Sequence, residues 1–491
     1  MLKQLALGLL AAQTAASLRF AMYIDEYHTT DLPSTPQTAE IDYAIMAFAP
    51  TTLFNSDSPP SFKPFEAVDT MRQRFAPGTK VMIAIGGWGD TAGFSAGAKD
   101  DASRARFAKN VASMLDDNGF DGVDIDWEYP GGNGQDYKQI PNADKVSEIE
   151  TYPKFLAAVR QAIGNKTLSI AVPGRKQDMI AWNKDTGPEI FKSVDMVNVM
   201  SYDLMNRRDN VTAFASSVQG SLAVIQDYLD FGADPELLNL GFAYYAKWFT
   251  TDPNSDCDVH PIGCKVVQLE NPDGSDNGKS GAFTFEKSNM APPPPNLTTS
   301  YNGKCGYTEA TKCPDGTCCS AYGNCGTADD FCMAGCLSDY GTCKGISITD
   351  SWRRAEKYGK TDEKEGGQYY WDKDTNLFWT WDTPALIAEK FKDIVEAKNI
   401  GGVMAWSLGE DTYKFAHLDA MQDGVRSATT KGDTNGIQKP AIAEMKKAVQ
   451  KEGMKKAVQK GGMKNAVQKG GMKKAIKGAK TMAKMGAHQQ G

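Results

Sequence analysis

The stretch Gly119-Phe-Asp-Gly-Val-Asp-Ile-Asp-Trp-Glu-Tyr-Pro130 decides how this chain is read. Asp124, Asp126 and Glu128 stand at every second position of a segment that otherwise has the composition of a buried strand. Alternate residues of a strand share a face. Three carboxylates therefore point the same way, a few ångströms apart. Buried together without partners, they repel one another and lose hydration. Stability gives no reason to keep such an arrangement, so the stretch reads as a site for chemistry. Asp121 is out of phase with the other three and reads as structural, at the strand entry.

Working outward, seven further apolar runs of strand length occur: residues 19–27, 41–50, 80–88, 168–174, 194–203, 238–248 and 400–408. Helical patterns lie between several of them, such as residues 101–119 and 151–165. Continuously apolar strands alternating with helices indicate parallel βα units. Eight units favour a closed (β/α)8 TIM barrel over an open sheet. Ligands of such barrels bind at the C-terminal strand ends, where Glu128, Asp203 and Trp406 fall.

The rhythm fails between the seventh and eighth runs, where an α+β subdomain inserted in the barrel is expected over residues 250–382. Residues 366–382 read as two strands around a turn, and residues 290–300 as a proline-rich, extended spacer. Eight of the ten cysteines lie between Cys305 and Cys343, and Cys257 and Cys264 form a separate close pair. This marks a small disulfide-rich module over 301–345, nested in the insertion.

The chain ends frame this body. Residues 1–17 carry Lys3, a short apolar run and then small residues, the pattern of a secretory signal peptide. That run is too short for a bilayer, which needs roughly 20 apolar residues. An even cysteine count agrees with a secreted protein. So do sequons at Asn165, Asn210 and Asn296, and an extracellular location in cell wall or medium is expected. From Met445 onward there are 13 lysines against one acid, Glu452, so the net charge of −7 conceals an acidic body. That balance does not suggest specific nucleic-acid binding. The tail, 431–491, repeats a nine-residue unit. At ~100° per residue, nine residues put successive apolar clusters on opposite sides. A flexible, solvated tail is expected, with weak contact to a polyanion or membrane surface as the alternative.

Residues 120–128 fit D-x-x-D-x-D-x-E with Asp121, Asp124, Asp126 and Glu128, and so resemble the signature of glycoside hydrolase family 18, the chitinases. Companion matches run in order: 47–49, 84–88, 200–203, 241–247 and 405–407. The resemblance covers about residues 18–430. It implies hydrolysis of β-1,4 N-acetylglucosamine polymers with retention. Most glycosidases use two carboxylates, but enzymes of this family draw their nucleophile from the substrate's 2-acetamido group. Glu128 is then the general acid. Asp126 orients the acetamido N–H and steadies the oxazolinium charge, and Asp124 shares a proton or hydrogen bond with Asp126. Crowding raises the pKa of Glu128 and keeps it protonated. Tyr202 hydrogen-bonds the acetamido carbonyl, and Asp203 a sugar hydroxyl or the acetamido region. Trp406 floors the reacting sugar, Trp88 stacks on the leaving-group side, and Tyr23, Phe48, Met200 and Tyr245 line the cleft. Aromatic faces suit the flat C–H faces of pyranose rings. No cofactor or metal is implied, and a monomer is expected.

Two positions depart from the family pattern. Ala84 stands where a serine is usual, so the hydroxyl supporting the inner aspartate must come from water or another side chain. Lys247 stands where arginine is common, which replaces a bidentate contact by a point charge.

The spacing C-x7-C-x4-CC-x5-C-x6-C-x3-C-x6-C from Cys305 resembles a hevein-like chitin-binding domain, carbohydrate-binding module family 18. The resemblance implies pairs Cys305–Cys319, Cys313–Cys325, Cys318–Cys332 and Cys336–Cys343, beside Cys257–Cys264. It places sugar binding on Ser320, Tyr322 and Phe331. Asn324 stands where a central aromatic is often found, so weak binding is expected. Chitin and chito-oligosaccharides are the expected partners. Two rival functions are an endo-β-N-acetylglucosaminidase on N-glycans and a chitin-oligomer-binding effector without turnover.

Overall fold

The computed structural model describes residues 18–432 apart from Ala321 and Ala334. The signal peptide expected over 1–17 and all but the first two residues of the tail expected over 431–491 lie outside the described residues. The chain divides into two units at Thr430, and the described residues fall almost wholly in the first.

Seven strands, β1 (Arg19–Asp25), β2 (Tyr43–Ala49), β3 (Lys80–Gly86), β4 (Gly122–Asp126), β5 (Thr167–Val172), β6 (Met196–Val199) and β7 (Leu238–Ala243), close into a barrel through an eighth, Gly402–Trp406. All neighbouring pairs are parallel. The main core lies between strands and outer helices, with Phe107, Trp127, Phe155 and Leu240 fully or almost fully buried. Inside the barrel a second cluster joins Tyr23, Ile45, Met82, Ala84, Tyr202, Tyr245 and Met404. Alanines there leave room for the polar groups of the site.

The helix expected at 101–119 forms over Asp101–Asn118. Asp100 caps it by accepting from the Ser103 N–H at 2.8 Å, and Gly119 ends it at φ 77°, a left-handed conformation suited to glycine. Phe107, Val111, Met114 and Leu115, spaced to share one helical face, are its buried side. The next helix begins at Val146 rather than 151 and runs to Ile163 despite Pro153. Its buried face, Tyr152, Phe155, Leu156 and Val159, carries it past a residue that cannot donate to the ladder.

The seventh run, read as one strand over 238–248, is broken in two. Residues to Ala243 stay in the barrel, the Tyr244 N–H donates to the Trp406 carbonyl at 2.8 Å, and Tyr245–Thr250 pairs with the insertion instead. Its sheet is antiparallel and five-stranded: Lys360–Asp362, Gly367–Asp372, Leu377–Trp381, Tyr245–Thr250, Ser280–Thr284. The insertion thus starts at Tyr245, not at residue 250. Helix Ile348–Tyr358 covers this sheet through Trp352, which packs on Trp379 (5.2 Å between centroids) and Phe283 (5.4 Å).

Over Cys305–Cys343 the structure joins Cys305 to Cys319, Cys313 to Cys325, Cys318 to Cys332 and Cys336 to Cys343; Cys257 is joined to Cys264. The two small cores of this segment consist mainly of the cystines themselves, as expected for a domain too short to bury much else.

Candidate active site

The carboxylate line sits at the top of β4. Strand pairing ends at Asp126, so Trp127 and Glu128 lie just past it. Asp124 is fully buried, deepest of the three, and its neighbours across the register are Ala84 on β3 and Ser169 on β5. The missing hydroxyl at Ala84 is supplied from the opposite flank. Ser169 Oγ donates to Asp124 Oδ1 at 2.5 Å, joined there by Asn198 Nδ2 at 3.1 Å, while Tyr23 Oη donates to Oδ2 at 2.9 Å. Asn239 Nδ2 in turn donates to Asn198 Oδ1 at 2.8 Å, and Arg19 donates to Asn239 Oδ1 at 3.2 Å. A chain of side chains from β1, β5, β6 and β7 thus fixes one carboxylate.

Tyr23 is therefore not a cleft residue as expected from the sequence. It is almost fully buried, its hydroxyl serves Asp124, and its ring lies 5.6 Å from that of Trp406. Asp126 contrasts with Asp124: its Oδ1 is buried with no hydrogen-bond partner among the described residues, and the residue faces the cleft. An unpaired buried acceptor is costly unless a ligand completes it.

Burial pushes the Asp124 carboxyl up to about 6, against its three hydrogen bonds. Asp126 is raised well above the carboxylate range by burial first, then by the charges of Glu128 and Asp124. Glu128 is raised to about 7, by burial and by Asp203 and Asp178, with a Tyr129 hydrogen bond and Arg208 pulling the other way.

Glu128 and Asp126 open into a cleft of about 620 Å³. Phe48, Trp88, Met200, Tyr202, Asp203, Tyr245 and Trp406 line it, all expected from the sequence. Phe48 stacks on Trp406 with centroids 5.5 Å apart and planes at 19°. Trp88 is 47% exposed at the rim, set edge-on to Tyr129 with centroids 6.3 Å apart. Asp203, at φ 51°, receives Tyr245 Oη at 2.9 Å and Lys247 Nζ at 3.1 Å. Tyr202 Oη has only the weak acceptor Met404 Sδ, 4.0 Å away, among its described hydrogen-bond partners. Burial raises the nearby Glu410 carboxyl to about 8, with the charge of His28 pulling the other way.

Sequence reading missed Tyr129, Tyr137, Arg175, Asp178 and Arg207–Arg208, which also line the cleft. Arg208 grips Asp178 with two bonds, 3.0 and 2.5 Å. Only Tyr129 carried a signal, being adjacent to Glu128. Ser169 and Asn198 were hidden inside runs read as plain apolar strands.

The family model for glycosyl hydrolases family 18 matches residues 19–411. The chain belongs to that family. Family 18 relatives include Chitinase 1 of Aphanocladium album, 27% identical over 263 residues, which are 47% of this chain and 59% of that protein. Endochitinase 1 of Metarhizium robertsii is 31% identical over 183 residues, 35% of this chain and 41% of that protein. The chain therefore spans between about two fifths and three fifths of the lengths of these relatives. Among solved structures, a chitinase from Rhizomucor miehei superposes with a TM-score of 0.57 at 19% identity, covering 83% of this chain and all of that one. At that identity the likeness speaks for the family 18 barrel alone. The disulfide-rich segment fits a chitin-binding module.

In the disulfide-rich segment, Tyr322 is 88% exposed. Ser320 is buried, its Oγ accepting from the Asn324 N–H at 3.3 Å, and Phe331 is partly buried over Gly326. Asn324 accepts from Lys304 Nζ at 2.7 Å. A polar pair thus fills the place where a stacking ring was missing.

Proposed function

We propose that this chain is a secreted chitinase that hydrolyses β-1,4 N-acetylglucosamine linkages with retention, by substrate-assisted catalysis. The observation carrying this reading is the split between two neighbouring aspartates: Asp124 is saturated by Tyr23, Ser169 and Asn198, while Asp126 keeps a buried oxygen without a partner beside the cleft. An acetamido N–H supplies the missing donor. Tyr202 Oη is the donor for the acetamido carbonyl, so both ends of that group are held and its oxygen is aimed at the anomeric carbon. Glu128 protonates the leaving oxygen. Trp406 floors the ring. Turnover assays on N-acetylglucosamine oligomers, in parallel with an N-glycan, test the reading. Cleavage of the glycan alone favours the endo-β-N-acetylglucosaminidase, and binding without cleavage the effector.

The acid must be protonated to work, and its pKa lies at about 7. The competent fraction is full below that value and lost above it, so kcat/KM for a soluble oligomer falls with a limb centred near pH 7. Asp178→Asn removes a negative charge and frees Arg208, and both effects favour ionised Glu128. The limb then moves to lower pH. A limb unmoved in that variant contradicts the assignment of Glu128 as the titrating group.

The cysteine-rich module is assigned adsorption to solid chitin through Tyr322 and Phe331. Tyr322→Ala weakens adsorption of the whole protein by about 1 kcal/mol, the scale of an aromatic contact, with hydrolysis of soluble oligomers unchanged. Asn324→Trp strengthens it. Equal adsorption of all three proteins makes the module a spacer.

A further inference from the structure

The loop following β4 is built rigidly. The Gly131 N–H donates to Glu148 at 2.9 Å, Asn133 and Asn142 are joined twice, and Lys145 holds Asp136 at 2.6 Å. From this base the loop reaches across to the insertion, whose loop after Tyr245–Thr250 approaches from the other flank. Tyr137 Oη hydrogen-bonds Glu270, Lys138 Nζ lies 3.3 Å from the same carboxylate, and Gln139 Nε2 donates to the Asp273 carbonyl at 2.8 Å. Gly274 abuts them: a Cβ there would come within 3.0 Å of Lys138 and 3.3 Å of Tyr137.

In barrel order β5 and β6 separate β4 from β7, so this contact spans two strand tops. The loops between are tied in as well. Asn133 Nδ2 donates to the Gln177 carbonyl at 2.7 Å, Arg175 grips Asp209 at 2.7 and 2.9 Å, and the Val266 N–H donates to the Asn210 carbonyl at 3.1 Å. The β4 loop, β5 loop, β6 loop and insertion are thus linked each to the next, and the Tyr137–Glu270 contact completes a ring. Tyr137, Arg175, Asp178 and Arg208, all on this ring, line the cleft. The β4 loop of this ring begins directly after Glu128 and folds back on it so closely that a Cβ at Gly134 would collide with the Glu128 carbonyl, so the ring stands on the acid's side, where the leaving group must sit.

We propose that the Tyr137–Glu270 and Gln139–Asp273 contacts form a strap that closes the leaving-group end of the cleft and makes the enzyme act from the reducing ends of β-1,4 N-acetylglucosamine chains rather than at internal bonds. This rests on the chitinase reading above. A polymer continuing past Glu128 would have to thread the ring, whereas a chain end enters and stops against it. Glu270 and Tyr137 then determine where on the polymer the bond is cut, without taking part in its chemistry.

The test uses the full chain on soluble glycol chitin, with viscosity and new reducing ends followed together, and on oligomers labelled at one end. Wild type is expected to lose little viscosity per bond cut and to release short labelled fragments from the reducing end. Blocking that end with a bulky group should slow it several-fold. The double variant Glu270→Ala/Gln139→Ala should lose several-fold more viscosity per bond cut and become insensitive to the block. If wild type cuts end-blocked chains as fast as free ones, the strap proposal falls while the chitinase reading stands, and this result does not depend on the variant folding. An equally end-sensitive, folded double variant also overturns it. Failure to cut any N-acetylglucosamine oligomer overturns the chitinase reading itself.

Discussion

Glu128→Gln is expected to lower turnover on N-acetylglucosamine oligomers by a factor on the order of 10²–10⁴, the usual contribution of a positioned proton donor, while oligomer binding is retained. The substitution keeps the shape of a side chain that is buried except where it meets the cleft. It removes the only cleft carboxyl in this strand that is not assigned to the acetamido group. The residual rate should also lose its dependence on pH near 7, because the group that titrates there is gone. Single-turnover rates and oligomer titrations on the same preparations separate chemistry from binding. Near-normal turnover in the variant removes Glu128 from the mechanism.

A second large effect is expected from the substrate. Removing the acetyl group from the sugar over Trp406 should abolish cleavage at that sugar, although the ring still fits. With Asp124 saturated and Asp126 assigned to the acetamido N–H, no aspartate of the β4 line remains to attack, and Asp203 and Asp178 are held by Tyr245 and Lys247 and by Arg208. On the proposed mechanism the acetamido oxygen attacks from within the same sugar, and such a unimolecular attack contributes several kcal/mol through proximity. Partly deacetylated chitosan is then cut only where N-acetylglucosamine occupies that position, and fresh products are β-anomers because two inversions occur. New reducing ends carrying glucosamine as often as N-acetylglucosamine, or fresh α-anomers, make Asp124, Asp126 or Asp203 the nucleophile or base instead.

The barrel was legible because its strands are buried on both faces and so read as uninterrupted apolar runs. The same property concealed its finer workings. Ser169 and Asn198 are single polar residues within such runs, and what they do depends on Asp124, 45 and 74 residues away. The break at Tyr244 was illegible for a related reason: Ala243 and Tyr245 both belong to sheets, and nothing in their composition says that they belong to different ones. Tyr23 was misjudged because an aromatic at a barrel strand end serves equally as a wall or as a donor underneath one. The strap joins residues more than 130 apart and leaves no local pattern at all.

All ten cysteines lie between Cys257 and Cys343, outside the barrel strands, whose core is held by hydrophobic packing. The module, by contrast, has cores made largely of cystine, and disulfides of this loop length are worth about 2–4 kcal/mol each. The two activities assigned to this protein therefore respond differently to the redox state of their surroundings. On those assignments a reductant is expected to dismantle the grip on solid substrate while hydrolysis of dissolved chains continues, which would confine the molecule in a reducing medium to the fragments that others have already freed.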